Sequence, residues 1–138
     1  MRMEPVSHVK KGDIAYAIIC RNPEADGNRF FTNENDEFQV GVLARPAGYQ
    51  VMAHAHLRAT RSITGTSEFL YIESGKVRVN VFDEDWVPLA EEVLGAGDFL
   101  VFFRGGHAIE ILEPARVIEV KQGPYTGMTA SKLFRDVS

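Results

Sequence analysis

The segment from Lys76 to Asp83 alternates strictly. Val77, Val79 and Val81 fall on one side of an extended chain, and Lys76, Arg78 and Asn80 on the other. Period two with one apolar side describes a strand buried on one face and wet on the other. No stretch of ten or more residues carries apolar positions at the helical period. Instead, short β-branched and aromatic runs lie between turn signals spaced roughly every eight to twelve residues, which predicts an all-β sandwich, jelly roll or barrel.

The turns order the rest of the chain. Asp83-Glu84-Asp85 reads as a solvated hairpin tip, with Trp86 to Leu94 as the returning strand and Pro88 marking an edge or bulge. Gly95-Ala96-Gly97-Asp98 is a tight turn, and Phe99 to Phe103 a buried strand. Arg104-Gly105-Gly106 turns again into a strand from His107 to Glu113. Glu113-Pro114 then leads into Ala115 to Lys121. Upstream, Glu37 to Arg45 and Tyr49 to His56 are strand candidates joined by an Arg45-Pro46-Ala47-Gly48 turn. Ile14 to Cys20 and Arg29 to Thr32 add strands outside this central set. The stretch after Gly123 is polar and irregular, with one helical turn near Ser131.

With 138 residues the chain fits one domain, 1–138, large enough to fold on its own core. Net charge is −4 and basic residues are not clustered, which argues against a nucleic-acid footprint. One cysteine, Cys20, excludes an internal disulfide and a thiolate zinc cage, and a reducing compartment is the simplest home. No apolar run approaches a membrane span. Ile14 to Cys20 lacks a following small-residue cleavage site, so the expectation is a cytoplasmic protein. Cys20 itself reads as a buried small hydrophobe.

The chain has four histidines. His54 and His56 are two apart, so on a strand they point to the same side, together with Gln50 and Met52. Glu68 shares a face with Leu70 and Ile72, and His107 with Ile109 and Ile111. An inward ionisable group beside apolar neighbours is costly unless it is paired or ligates a metal. Imidazole and carboxylate suit first-row divalent ions. Spacing alone leaves two readings open: a metal site, or a His-Ala-His pair exposed near a loop.

At these residues the sequence resembles the cupin superfamily. In the first cupin motif a glycine is followed by five residues, His-x-His, three or four residues, Glu, six residues and Gly. Here Gly48 precedes His54-Ala55-His56 by five residues, and Glu68 precedes Gly75 by six. In the second, Gly is followed by five residues, Pro-x-Gly, two residues, His, three residues and Asn. Here Gly97 leads after five residues to Phe103-Arg104-Gly105-Gly106-His107. There are departures. Eleven residues separate His56 from Glu68, Phe103 stands for the proline, His107 comes one residue early, and Ile111 stands near the asparagine's place.

The resemblance covers about residues 38–121. It implies a jelly-roll β-barrel with extra N-terminal strands and an irregular C-terminal tail. It implies one divalent ion (Fe, Mn, Zn or Ni) on His54, His56, Glu68 and His107. Gln50, Met52, Arg61 and Arg104 are the candidates for binding a small polar or anionic metabolite, the arginines because guanidinium grips carboxylate or phosphate. Tyr49 and Tyr71 fall on the opposite face. The reaction classes implied are those of a metal-dependent dioxygenase, isomerase or lyase. The alternatives are a small-molecule-binding module without turnover, and a metal-free sugar or nucleotide-sugar isomerase or epimerase with His107 or His56 as base. A homodimer is expected, with Ile14 to Cys20 adding to a neighbour's sheet.

Overall fold

The computed structural model describes residues 4–137, with the side chains at 129 and 130 left aside. The strands are β1 (Val6–Lys11), β2 (Ile14–Cys20), β3 (Gly27–Phe30), β4 (Gly41–Ala44), β5 (Glu68–Phe82), β6 (Pro88–Gly95), β7 (Phe99–Phe102) and β8 (Gly106–Lys121). A single turn of helix, α1 (Met128–Ser131), follows. The all-β class holds, and the main sheet is a strongly curled half-barrel.

Strand β5 organises that sheet. On one edge it pairs antiparallel with β7 at Glu68–Tyr71 and with β6 at Lys76–Phe82. On the other it pairs with β8 along almost its whole length. Beyond β7 lie β2 and then β1, while β3 and β4 form a separate two-stranded sheet.

The curl follows from the pairing. Straight, β5 would span about 46 Å. Yet Phe102 faces Glu68 at one end and Gly106 faces Phe82 at the other. Four residue steps join Phe102 to Gly106 and reach at most about 15 Å. With about 5 Å for each strand pairing, the ends of β5 lie within about 25 Å of each other. The bend falls between Ile72 and Val77, where the β5–β8 register shifts three times. Such bulges kink a strand and add twist. Gly75 sits in the bend at φ 88°, and a Cβ there would meet the Pro114 carbonyl oxygen at 2.2 Å.

Alternation along the strands makes two apolar layers. Ala17, Ile19, Leu70, Ile72, Val77, Val79, Val81, Leu94, Leu100 and Phe102 fill one. Ile18, Cys20, Phe99, Val101 and Phe103 form the other, with Phe31, Phe38, Val40 and Val42 of the β3–β4 region packed over it. Glu68 and His107 lie on the first face and meet across the curl, so that face is the concave one. It is well packed over β5 and open over β8, where Ile109 and Ile111 are exposed.

Several sequence expectations change. The strands either side of Glu113-Pro114 are one strand, β8; its outer edge carries no ladder, so Pro114 costs no hydrogen bond there. The Lys76–Asp83 strand is the second half of β5. Val6–Lys11 is a strand that the sequence reading left out. Tyr49 to His56 is not a strand: 45–67 contains neither strand nor helix, although Tyr49 N–H donates to the Pro46 carbonyl in the expected turn. Ile14 to Cys20 cannot add to a neighbour's sheet, since β1 and β7 take both its edges. Asp83 is buried rather than solvated. It accepts from the backbone N–H of Asp85 and Val87 and from Lys11 Nζ at 2.8 Å, fixing the hairpin tip to β1.

Candidate functional site

Two of the four residues singled out as ligands meet. His107 Nε2 lies 3.3 Å from Glu68 Oε2 on the concave face. The pairing rests on local sequence. Glu68 opens β5 with the same parity as Leu70 and Ile72, both buried. His107 is the second residue of β8, after a turn that only glycine permits. At Gly105 φ is 76°, and a Cβ would lie 2.2 Å from the Phe82 carbonyl oxygen. The Phe102 ring stacks on the imidazole, centroids 3.9 Å apart and planes 3° apart, which fixes its plane.

The His107 hydrogen bond is the main reason the Glu68 carboxyl is pushed down to about 2, against the opposing effect of burial. Glu119, opposite Leu70 in the β5–β8 ladder, supplies a second hydrogen bond to Glu68, and its own carboxyl is held above the usual range by that contact. Glu68, His107 and Glu119 therefore form one hydrogen-bonded cluster. Within it the Glu68 carboxyl is shifted down and the Glu119 carboxyl up.

His54 and His56 stand together, ring centroids 5.4 Å apart and edge to face. His54 Nδ1 is 2.8 Å from the Met52 carbonyl oxygen. A carbonyl only accepts, so Nδ1 is the donor, and the neutral tautomer with this contact has its lone pair on Nε2. A backbone carbonyl on the far nitrogen is the usual support of a metal-binding imidazole. Both histidines are exposed, however, rather than inward on a strand; no neighbouring strand pairs with 49–56, so nothing imposes the expected facing. Gln50, Met52 and Arg61 are exposed on the same irregular segment. Arg104 is exposed at the turn before β8, where its Nε donates to the Ala15 carbonyl at 3.1 Å.

The donor types suit a first-row divalent ion. Two ligand atoms each about 2.1 Å from such an ion, at ordinary angles, sit roughly 3.0–3.4 Å apart, which matches the Glu68–His107 separation. The two pairs remain apart: among the described residues no three or more His, Cys, Asp or Glu side chains gather as a metal-binding group.

The sequence reading missed Phe102 and Glu119. Phe102 looked like plain core. Glu119 was visible in principle, because Val117, Glu119 and Lys121 share one parity, but its facing depended on the β5–β8 register.

No helix among the described residues is long and apolar enough to cross a membrane. No protein-family model, no curated protein and no solved structure matches the chain.

Proposed function

We propose that this chain is a cupin-like metal-binding protein that holds a small polar or anionic metabolite at the mouth of its curled sheet. The ligands are His54, His56, Glu68 and His107, and the ion is a divalent first-row metal. The observation that carries the reading is the Glu68–His107 pair, preset at ligand spacing on a concave face that is open on the β8 side. The His54–His56 pair, one imidazole already braced by a carbonyl, supports it.

In this reading the segment 49–64 covers the open side of the concave face and brings the two pairs together. That segment exposes Val51, Met52 and Leu57, and the sheet exposes Ile109 and Ile111. Each surface offers apolar area that the other would bury.

When bound, the ion supplies Lewis-acid, templating or redox chemistry, as a dioxygenase, isomerase or lyase requires. The chain's own residues do the rest. Glu68 stays ionised and so remains a donor throughout the neutral range. Phe102 holds the His107 ring in plane. Glu119 lies beside Glu68, its carboxyl held above the usual range by that contact. Arg61, on the covering segment, is a cation that an anionic substrate can use; Arg104 is partly committed to Ala15.

The Glu68–His107 contact, an imidazole oriented by a carboxylate, favours one second reading, a metal-free isomerase or epimerase in which His107 is the base. Elemental analysis of protein purified without a polyhistidine tag separates the two. Near-stoichiometric metal, lost in both His54→Ala and His107→Ala, supports the metal site. Absence of metal after reconstitution with iron, manganese, zinc and nickel overturns it.

A further inference from the structure

The convex side of the sheet carries a feature that the metal reading does not use. Between the β3–β4 hairpin and the outer face of β5 and β7 lies a cleft of about 490 Å³. Phe38 and Val42 line it from the hairpin side, Phe69, Tyr71 and Phe99 from the sheet, and Val120 of β8 stands at its rim. Phe69 and Tyr71 alternate with Glu68 and Leu70, so the cleft and the Glu68–His107 pair occupy opposite faces of one strand.

We propose that this cleft is a second binding site, for a neutral, flat, aromatic molecule of about two rings carrying one hydrogen-bonding group. The volume falls within the range of small-molecule sites. No charged residue lines it, which disfavours an ionic ligand. Its sheet wall is aromatic: Phe69 and Phe99 lie 5.8 Å apart by ring centroid, and Phe31 backs Phe99 at 5.9 Å. Rings in such a wall take a further ring in stacked or edge-on contact.

Two side chains lining the cleft are polar. The Gln39 amide is committed: its Nε2 donates to the Asn33 and Asp36 carbonyls, and its Oε1 accepts from Thr32. The Tyr71 hydroxyl has no hydrogen-bond partner among the described residues. It is therefore the group left to orient a ligand.

The test uses 1-naphthylamine, a neutral, flat, two-ring aromatic with one amino group, whose fluorescence shifts to shorter wavelength on leaving water. The full chain is expected to bind one equivalent with Kd on the order of 10 µM, in the range of small apolar ligands. Tyr71→Phe should raise Kd about fivefold, the effect of one hydrogen bond. Val42→Trp, which fills the cleft, and Val120→Trp, which blocks its rim without touching the hairpin, should each abolish saturable binding while the cooperative melt is retained. Ile111→Ser, on the concave face, should leave binding unchanged.

Absence of saturable binding overturns the proposal. So does binding that survives both tryptophan variants, or that is lost in Ile111→Ser. Sedimentation at the assay concentration completes the test: a dimer that excludes the probe makes the cleft an interface between copies and refutes the ligand site. None of these readouts depends on metal.

Discussion

Gly75 carries the bend of β5, and replacing it with alanine tests the account of the curl. The cost has two parts. At φ 88° an L-residue with a Cβ is disfavoured by about 1–2 kcal/mol. The added Cβ would also meet Pro114 O at 2.2 Å, Ala115 Cα at 2.5 Å and Ala115 Cβ at 2.7 Å. The first two are backbone atoms of β8 and cannot swing aside, so β5 and β8 must separate at the bend. Overpacking of this kind costs about 1–3 kcal/mol. The sum is about 2–5 kcal/mol. At roughly 2.1 cal/mol/K per residue the unfolding entropy of this chain is about 290 cal/mol/K, so Tm should fall by about 7–17 °C. Gly12→Ala is the control. Gly12 also has positive φ, 61°, but a Cβ there meets nothing within 4 Å. It should cost about 1 kcal/mol and lower Tm by about 3 °C. Calorimetric melts of the three proteins decide the matter. If Gly75→Ala melts within about 3 °C of Gly12→Ala, the bend does not depend on the close approach of β8, and the reasoning fails.

Other outcomes follow from the same structure. The Glu68 carboxyl is lowered by His107, so its contribution is present above the ordinary carboxylate range and is lost as pH falls towards about 2. The urea midpoint should drop between pH 5 and 2.5, and less steeply in Glu68→Gln. Glu119 is raised and acts in the opposite sense: its contribution is present at low pH and lost as pH rises through its folded value. Glu119→Gln should therefore steepen the fall. Leu100→Ala, at a fully buried site, should cost about 2–5 kcal/mol in denaturant titration. Leu57→Ala, at an exposed one, should stay within about 0.5 kcal/mol, unless bound metal closes the segment over the sheet. Asp83→Ala should expose the Asp85 and Val87 amides to hydrogen exchange, since both donate to that carboxylate. Cys20, its thiol pushed up to about 12 by burial, should resist a disulfide reagent until the protein unfolds.

The sequence made the repeating parts legible. Val77, Val79 and Val81 announced both the strand and its buried face, and all three are core. The parity of Glu68 with Leu70 and of His107 with Ile109 placed one acid and one imidazole on a common face, where they meet. What alternation could not supply was pairing. Tyr49–His56 reads as a strand by composition but has no ladder partner, so the inference that His54 and His56 point inward lacked its physical basis. Val6–Lys11 is a strand because β2 pairs with it; its own residues, Val-Ser-His-Val-Lys-Lys, alternate too weakly to show it. Asp83 looked like a surface acid because its partner, Lys11, is far away in sequence. The convex cleft was invisible for the same reason, since it exists only where two separate sheets pack.

The position of β5 at the centre also sets the order in which the fold can be assembled. Its partners β6, β7 and β8 all follow it along the chain. During synthesis a 15-residue strand with one strongly apolar face therefore emerges before any strand that covers its edges. The β6 hairpin protects half of one edge early, through a local turn. The other edge stays bare until β8 is complete at Lys121. Contacts this distant in sequence form slowly. The nascent chain thus passes through a window in which β5 can pair with another copy of itself, and chaperones that mask strand edges should raise the yield of soluble protein.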